Sequence, residues 1–420
     1  MTPSQHDRLA PIGGGSQKSV VGLPELGPVQ GEPASVDAWE RGWEQYLHYR
    51  GDPVAVMSEA GADDEAFVLG PVFAAVYRVL AGTPLSSPAL AADTARVRSR
   101  AAASGDRERV HVRALQLLVA GEFTAAARAW DEVANGERDF AAVRFAHDVY
   151  LHVGDDGGRL ASSARAAEAW QGEPGWGFVA GQHAFALEEL GHYDEAEELG
   201  RAALDLDPED LWSRHALAHV YESTDDTAAA LELLEGSVER WSSQELLATH
   251  IWWHLALRLL ASGDESSALA VFDERMPNAK TAFQLCDQTS LLWRLELAGC
   301  DAGDRWDALA ERWDGVAERH TCAFLDVHAA LTFTRRPDHP GAGRWFEGLG
   351  ERPSGTSEND RTFSRVVEPL VEAFGSYAHG DYDHCVQIVD ALGATTRYIG
   401  GSIAQRDLIT LTAQAAVVAA

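Results

Sequence analysis

The chain has 420 residues, 46% hydrophobic and 24% charged, an ordinary balance for a folded protein. Its formal net charge of −31 opposes phosphate backbones and anionic membranes, so neither nucleic acid nor a membrane is an expected partner. Cys286, Cys300, Cys322 and Cys385 include no C-x-x-C pair, which speaks against a thiolate zinc site and a disulfide scaffold.

Residues 1–35 are rich in Gly, Pro, Ser and Gln, lack an apolar leader core, and read as a flexible tail. No run of about 18 apolar residues follows anywhere, so the expected setting is the reduced cytoplasm. From 36 to 82 two amphipathic stretches, SVDAWERGWEQYLHYR and DDEAFVLGPVFAAVYRVLAG, predict helices that cap whatever comes next.

What comes next is periodic. A turn pattern of Gly, a polar residue, often an aromatic, and a small residue five positions after the Gly recurs at Gly121, Gly191, Gly263 and Gly380. Weaker turns stand at Gly154, around Asp225, and at Gly299. The turn positions from 121 to 299 are then spaced by 33, 37, 34, 38 and 36 residues. That is the period of a helix-turn-helix unit close to the 34-residue tetratricopeptide repeat. The clearest unit is HAFALEELGHYDEAEELGRAALDLDPED, residues 183–210. The expected fold is therefore all-α: tetratricopeptide-like repeats over about 100–416, stacked into a right-handed superhelical solenoid. Residues 36–420 form a single domain on this reading, and the Pro- and Gly-rich stretch 335–362 includes a long loop.

The histidines keep step with the repeat. His147, His183, His219 and His254 are spaced by 36, 36 and 35, which predicts like places on successive first helices, the helices that line the concave side of such a superhelix. Two of them belong to i, i+4 pairs, His215–His219 and His250–His254, each projecting from one helix face, with Glu222 near the first pair. Asp287, Ser290 and Arg294 follow on the next first helix, and Asp326 and His328 on the one after. Imidazoles and a carboxylate in this pattern suit a divalent transition metal, on His215, His219, His250 and His254, or a polar small-molecule pocket. With Glu222 these histidines are also the candidates for any catalysis there. Packing alone, or coincidence among 16 histidines, accounts for the same spacing.

Near the C-terminus, Gly400-Gly401-Ser402-Ile403-Ala404-Gln405-Arg406 contains an S-x-x-Q capping box that starts a helix at Ile403. The superhelix should close on itself and point this helix start, with Ser402, Gln405 and Arg406, at the histidines. A ligand there would touch His147, His183, Asp287, Arg294 and His328 as well, and would carry a carboxylate or phosphate. The alternative is a scaffold that binds a partner protein's peptide in the open groove, although two lysines in the chain are few for holding an acidic peptide.

The blocks RFAHD (144–148), HALAHVYE (215–222), ATHIWWHLAL (248–257), the Asp287–Leu297 stretch, DVHAAL (326–331) and IGGSIAQRD (399–407) together resemble the tetratricopeptide repeat protein 38 family, as a bacterial member. The resemblance spans about 36–416. It implies the helical fold and makes the histidine and Gly-Gly-Ser blocks family hallmarks, without implying a reaction.

Overall fold

The computed structural model describes residues 22–420, apart from 25, 28, 137, 243–245, 278, 280, 317–319 and 353–354. Every regular element among the described residues is a helix. Four N-terminal helices, α1 (Pro33–Leu47), α2 (Pro53–Asp63), α3 (Leu69–Leu80) and α4 (Pro88–Ala101), precede the repeats. Helix pairs follow: α5 (Asp106–Val119) with α6 (Phe123–Gly136), α7 (Phe140–Val153) with α8 (Asp156–Trp170), and α9 (Trp176–Glu188) with α10 (Tyr193–Leu206). Next are α11 (Leu211–Ser223) with α12 (Thr227–Glu235), the single turn α13 (Val238–Trp241), and α14 (Ala248–Ala261) with α15 (Glu265–Arg275). Then come α16 (Ala282–Leu297) with α17 (Arg305–Trp313), and α18 (Ala323–Arg335) with α19 (Pro340–Gly350). The chain ends with α20 (Glu358–Thr362), α21 (Glu368–Ala378), α22 (Tyr382–Leu392), a 3-10 turn over Gly393–Ile399, and α23 (Ile403–Ala419).

The punctuation works as the residue types require. All seven turn positions have left-handed backbone, from φ +56 at Asp225 to +89 at Gly299. In each, the N–H after the turn residue reaches the carbonyl five residues back, as in His192 to Leu187 and Asp226 to Tyr221, so the last carbonyls of the helix are satisfied. The polar residue after the turn then caps the next helix: Asp155, Asp226 and Asp264 accept from the N–H groups of Gly158, Ala229 and Ser267. Five residues after the turn, Ala126, Ala196, Ala230, Ala268 and Cys385 are fully buried where paired helices touch.

Three expectations change. The stretch 335–362 is mostly helical, because α18 runs to Arg335 and Pro340 supplies the first turn of α19, where its missing N–H costs nothing. Of the tail expected over 1–35, residues 1–21 lie outside the described residues, whereas Leu26 is buried, its carbonyl accepting from Arg107 Nη2, and α1 already starts at Pro33. Helices α1–α3 do not simply cap one end. They lie across the inner helices: Tyr46 and Tyr77 both donate to Asp148 of α7, Tyr49 stacks on Trp212 of α11, and Gly82, just past α3, faces Leu325 of α18.

The superhelix closes as expected. The Asn359 N–H donates to Gly121 O at 3.0 Å, and the Gly401 N–H to Leu151 O at 3.2 Å, so the C-terminal segment rests on α6 and α7.

Candidate metal centre

Helices α11 and α14 lie side by side in the stack. Asp210 starts the first, accepting from the N–H groups of Trp212 and Ser213 at 3.1 Å. Because each helix carries its histidines four residues apart, two imidazoles leave each helix on one face, and all four meet. They are between 1% and 7% exposed. One nitrogen from each of His215, His219, His250 and His254 lies within 4.8 Å of one from every other.

The nitrogens have defined roles. His250 Nδ1 is 2.8 Å from Asp287 Oδ1, and His254 Nδ1 is 3.1 Å from Glu222 Oε2. A carboxylate only accepts, so both Nδ1 atoms carry a ring proton, and in the neutral ring each Nε2 presents a lone pair. His215 Nε2 sits between His219 Nε2 at 2.9 Å and His250 Nε2 at 3.0 Å. It can donate to at most one of them. His254 Nε2 is buried with no hydrogen-bond partner among the described residues. Extra protons on three of the rings do not relieve the crowding: burial, then the neighbouring imidazoles, hold His215, His219 and His254 well below the usual histidine range. Several lone pairs thus converge with too few protons between them, and a cation is their natural partner.

The surroundings fit that partner. Carboxylates behind ligand imidazoles fix tautomer and ring orientation in metal sites. Asp287 and Glu222 do so here, and Glu188 Oε2 stands 3.7 Å from His219 Nδ1. Trp253 stacks on His250 at 5.1 Å, and Phe185 lies 5.2 and 5.1 Å from His215 and His219, so apolar rings hold the cage. Nitrogens on a tetrahedral ion with bonds of about 2.0–2.1 Å stand about 3.3–3.4 Å apart, so on such an ion the 2.9 and 3.0 Å contacts would open by a few tenths of an ångström.

A cavity of about 210 Å³ reaches His215 and His250. Phe185, Trp212, Phe283 and Phe324 give it aromatic walls, Leu80 of α3 contributes from the N-terminal layer, and Gly401 and Gln405 line it from the C-terminal segment. A larger open cleft of about 1020 Å³, lined by Arg113, Arg128, Arg361 and Arg397 among others, contains none of these histidines.

The structure sorts the other candidates. Asp287 is part of the centre, and Gln405 lines the cavity. The capping box of Ser402 and Gln405 is present and α23 begins at Ile403. The helix start does attract an anion, but an internal one: the Ile403 N–H lies 3.0 and 3.1 Å from the two Glu189 carboxylate oxygens. Arg406 is spent on Glu189 and Asp156, both at 3.4 Å. No free anion-binding end is left for a ligand. Arg294 is likewise internal, donating to Ser290 O and Ala404 O and so tying α16 to α23. His328 Nδ1 donates to Phe324 O, outside the cluster of four.

His147 and His183 also stand outside that cluster. His183 contacts Ser163 Oγ of α8 at 3.0 Å. The equal spacing of the histidines misleads because the turns themselves are unequally spaced. His219 precedes its turn residue Asp225 by six positions and His183 precedes Gly191 by eight, a difference of about 200° around the helix. Phe185 holds the position equivalent to His219, and it packs on that ring. His147 is fully enclosed beside Trp212, 5.6 Å ring to ring, with neither nitrogen hydrogen-bonded.

Sequence reading missed Glu188, Glu189 and Arg159. Glu188 accepts from Ser223 Oγ at 2.7 Å, and burial with Glu189 beside it pushes its carboxyl up to about 8. Arg159 is fully buried, pairs with Asp156 at 2.8 Å and Glu189 at 3.6 Å, and lies over the Phe185 ring. A signal for Glu188 exists: it precedes Gly191 by three residues, as Glu222 precedes Asp225.

Compared with known families, residues 187–240 match the tetratricopeptide repeat family model, a segment that holds α10–α12 and with them His215, His219 and Glu222. No helix among the described residues is long and apolar enough to cross a membrane. With the paired helices on either side of that segment, the protein is an all-α, tetratricopeptide-type helical repeat protein.

Proposed function

We propose that the chain is a metalloprotein that binds one divalent first-row transition ion on His215, His219, His250 and His254. The observation that carries this reading is the convergence of buried, proton-poor imidazole nitrogens whose far sides are held by Asp287 and Glu222. All-nitrogen donor sets of this kind suit zinc, copper, nickel or iron. The adjoining cavity makes the centre a place where a small molecule can meet the ion, with these histidines and Glu222 as the candidates for any catalysis. The resemblance to the tetratricopeptide repeat protein 38 family belongs to the same proposal, since three of its blocks supply the four histidines, Glu222 and Asp287 of this one centre.

The scaffold reading has less support. A peptide in the groove would have to displace α1–α3, whose Tyr46, Tyr77 and Tyr49 are bound to Asp148 and stacked on Trp212.

Elemental analysis of the purified full chain tests the proposal. About one equivalent of transition metal is expected, retained on desalting and lost in a folded H250A/H254A double variant. A protein that takes up no metal after incubation with zinc, cobalt, nickel, copper and ferrous salts would refute it.

A further inference from the structure

The cavity beside the histidines says what kind of molecule belongs there. None of the described residues lining it is Lys or Arg. Its two carboxylates are engaged: Asp148 accepts from Tyr46 and Tyr77 at 2.7 and 2.8 Å and from Arg144 at 3.0 Å, and Asp287 holds His250. The helix end that might have received an anion is filled by Glu189. Nor would a bound divalent ion call for an anionic ligand, because Asp287 and Glu222 behind two of the imidazoles already balance its two charges. A charged ligand would therefore be stripped of water without a counter-charge, the costliest kind of burial.

The walls are aromatic and flat. Phe283 and Phe324 stack on one another, within 24° of parallel with ring centres 6.0 Å apart, and form one wall, while Trp212 stands 4.9 Å from His215. At roughly 20–30 Å³ per non-hydrogen atom, 210 Å³ has room for about seven to ten such atoms, one substituted ring.

We infer that this cavity binds an uncharged aromatic small molecule carrying a single oxygen or nitrogen donor, its ring between the aromatic walls and its donor atom at the His215–His250 edge. Trp212, Phe185, Phe283 and Phe324 give shape and apolar contact, and the absence of a lining cation among the described residues rejects carboxylates and phosphates. The inference corrects the anionic ligand expected from sequence. It depends on the metal reading only where the donor atom meets the ion.

Two fluorinated probes of nearly equal size separate the possibilities: 4-fluorobenzyl alcohol, neutral, and 4-fluorobenzoate, anionic. Each is titrated into the full chain and followed by fluorine NMR at neutral pH. The alcohol should bind saturably and the benzoate at least about tenfold more weakly. Leu247, just before α14, also lines the cavity, and Leu247→Trp and Phe283→Trp, which fill it from two separate positions, should each weaken alcohol binding about tenfold or more, with metal content unchanged. Equal or tighter binding of the benzoate would overturn the inference, as would alcohol binding that persists in both folded variants. A cobalt-loaded sample separates this inference from the metal reading, since the alcohol should shift the visible bands of the ion. Cobalt uptake with neither probe bound overturns the cavity inference alone. Alcohol binding that is blocked by the tryptophans in a protein that takes no cobalt upholds it and removes the metal.

Discussion

Glu189 holds the closed superhelix together, and removing its carboxylate tests that claim quantitatively. The side chain is fully buried, receives the Ile403 N–H at the start of α23, and lies between Arg406 at 3.4 Å and Arg159 at 3.6 Å. Burial holds its carboxyl above the usual range, against the pull of the two arginines. In Glu189→Ala, Asp156 is left to balance two buried guanidiniums, and Arg159 already has Nε and Nη1 without partners. Breaking a buried pair from one side costs about 3–5 kcal/mol, and the lost partner of the helix start lies within that figure. Glu189→Gln keeps an acceptor for Ile403 and should cost less, about 1–3 kcal/mol. Chemical denaturation followed by circular dichroism gives the stability change, and amide exchange at Ile403 reports on the helix start. Exchange there should rise more than in α14, because the seam opens before the histidine helices do. An alanine variant within about 1 kcal/mol of the parent, with Ile403 still protected, would refute the argument.

Gly191 has φ +84 with open space where a Cβ would stand, so Gly191→Ala should cost about 1–2 kcal/mol in urea denaturation from backbone conformation alone. Asp225 occupies the same kind of turn at φ +56, and Asp225→Gly should gain up to about 1 kcal/mol. His147→Phe removes two buried nitrogens without partners and should raise stability by about 1 kcal/mol; a loss of that size would mean the imidazole is needed. Burial pushes His328 down to about 4, below the value near 6.5 expected in the unfolded chain, so protons bind the unfolded state preferentially. Its contribution is complete above pH 6.5 and is lost as the pH falls toward 4, about 3 kcal/mol in all. The pH slope of stability in chelator-treated protein should flatten correspondingly in His328→Phe.

The turn residues made the fold legible, because a left-handed position followed by an Asp cap and a buried Ala is written in local sequence. The i, i+4 pairs made the heart of the site legible for the same reason, since one helix face needs no knowledge of the rest. What depended on register across turns was misread. His183 faces α8 because its distance to the turn differs by two residues from that of His219. What depended on long-range packing was invisible: Glu189, 214 residues from Ile403, fills the helix end that the Gly-Gly-Ser block advertised. The placement of α1–α3 over the inner helices rests on tyrosines whose partner Asp148 is 102 residues away from Tyr46.

Open repeat stacks tolerate loss or gain of a unit, because each unit answers only to its neighbours. Here the Asn359 N–H must find Gly121 O and the Gly401 N–H must find Leu151 O. That makes the number of units an arithmetic condition, like the number of staves in a barrel. One helix pair more or fewer would leave the seam out of reach and carry Gly401 and Gln405 away from the histidines. Divergence in such a chain should proceed by substitution within units, with duplication and deletion confined to the exposed turns.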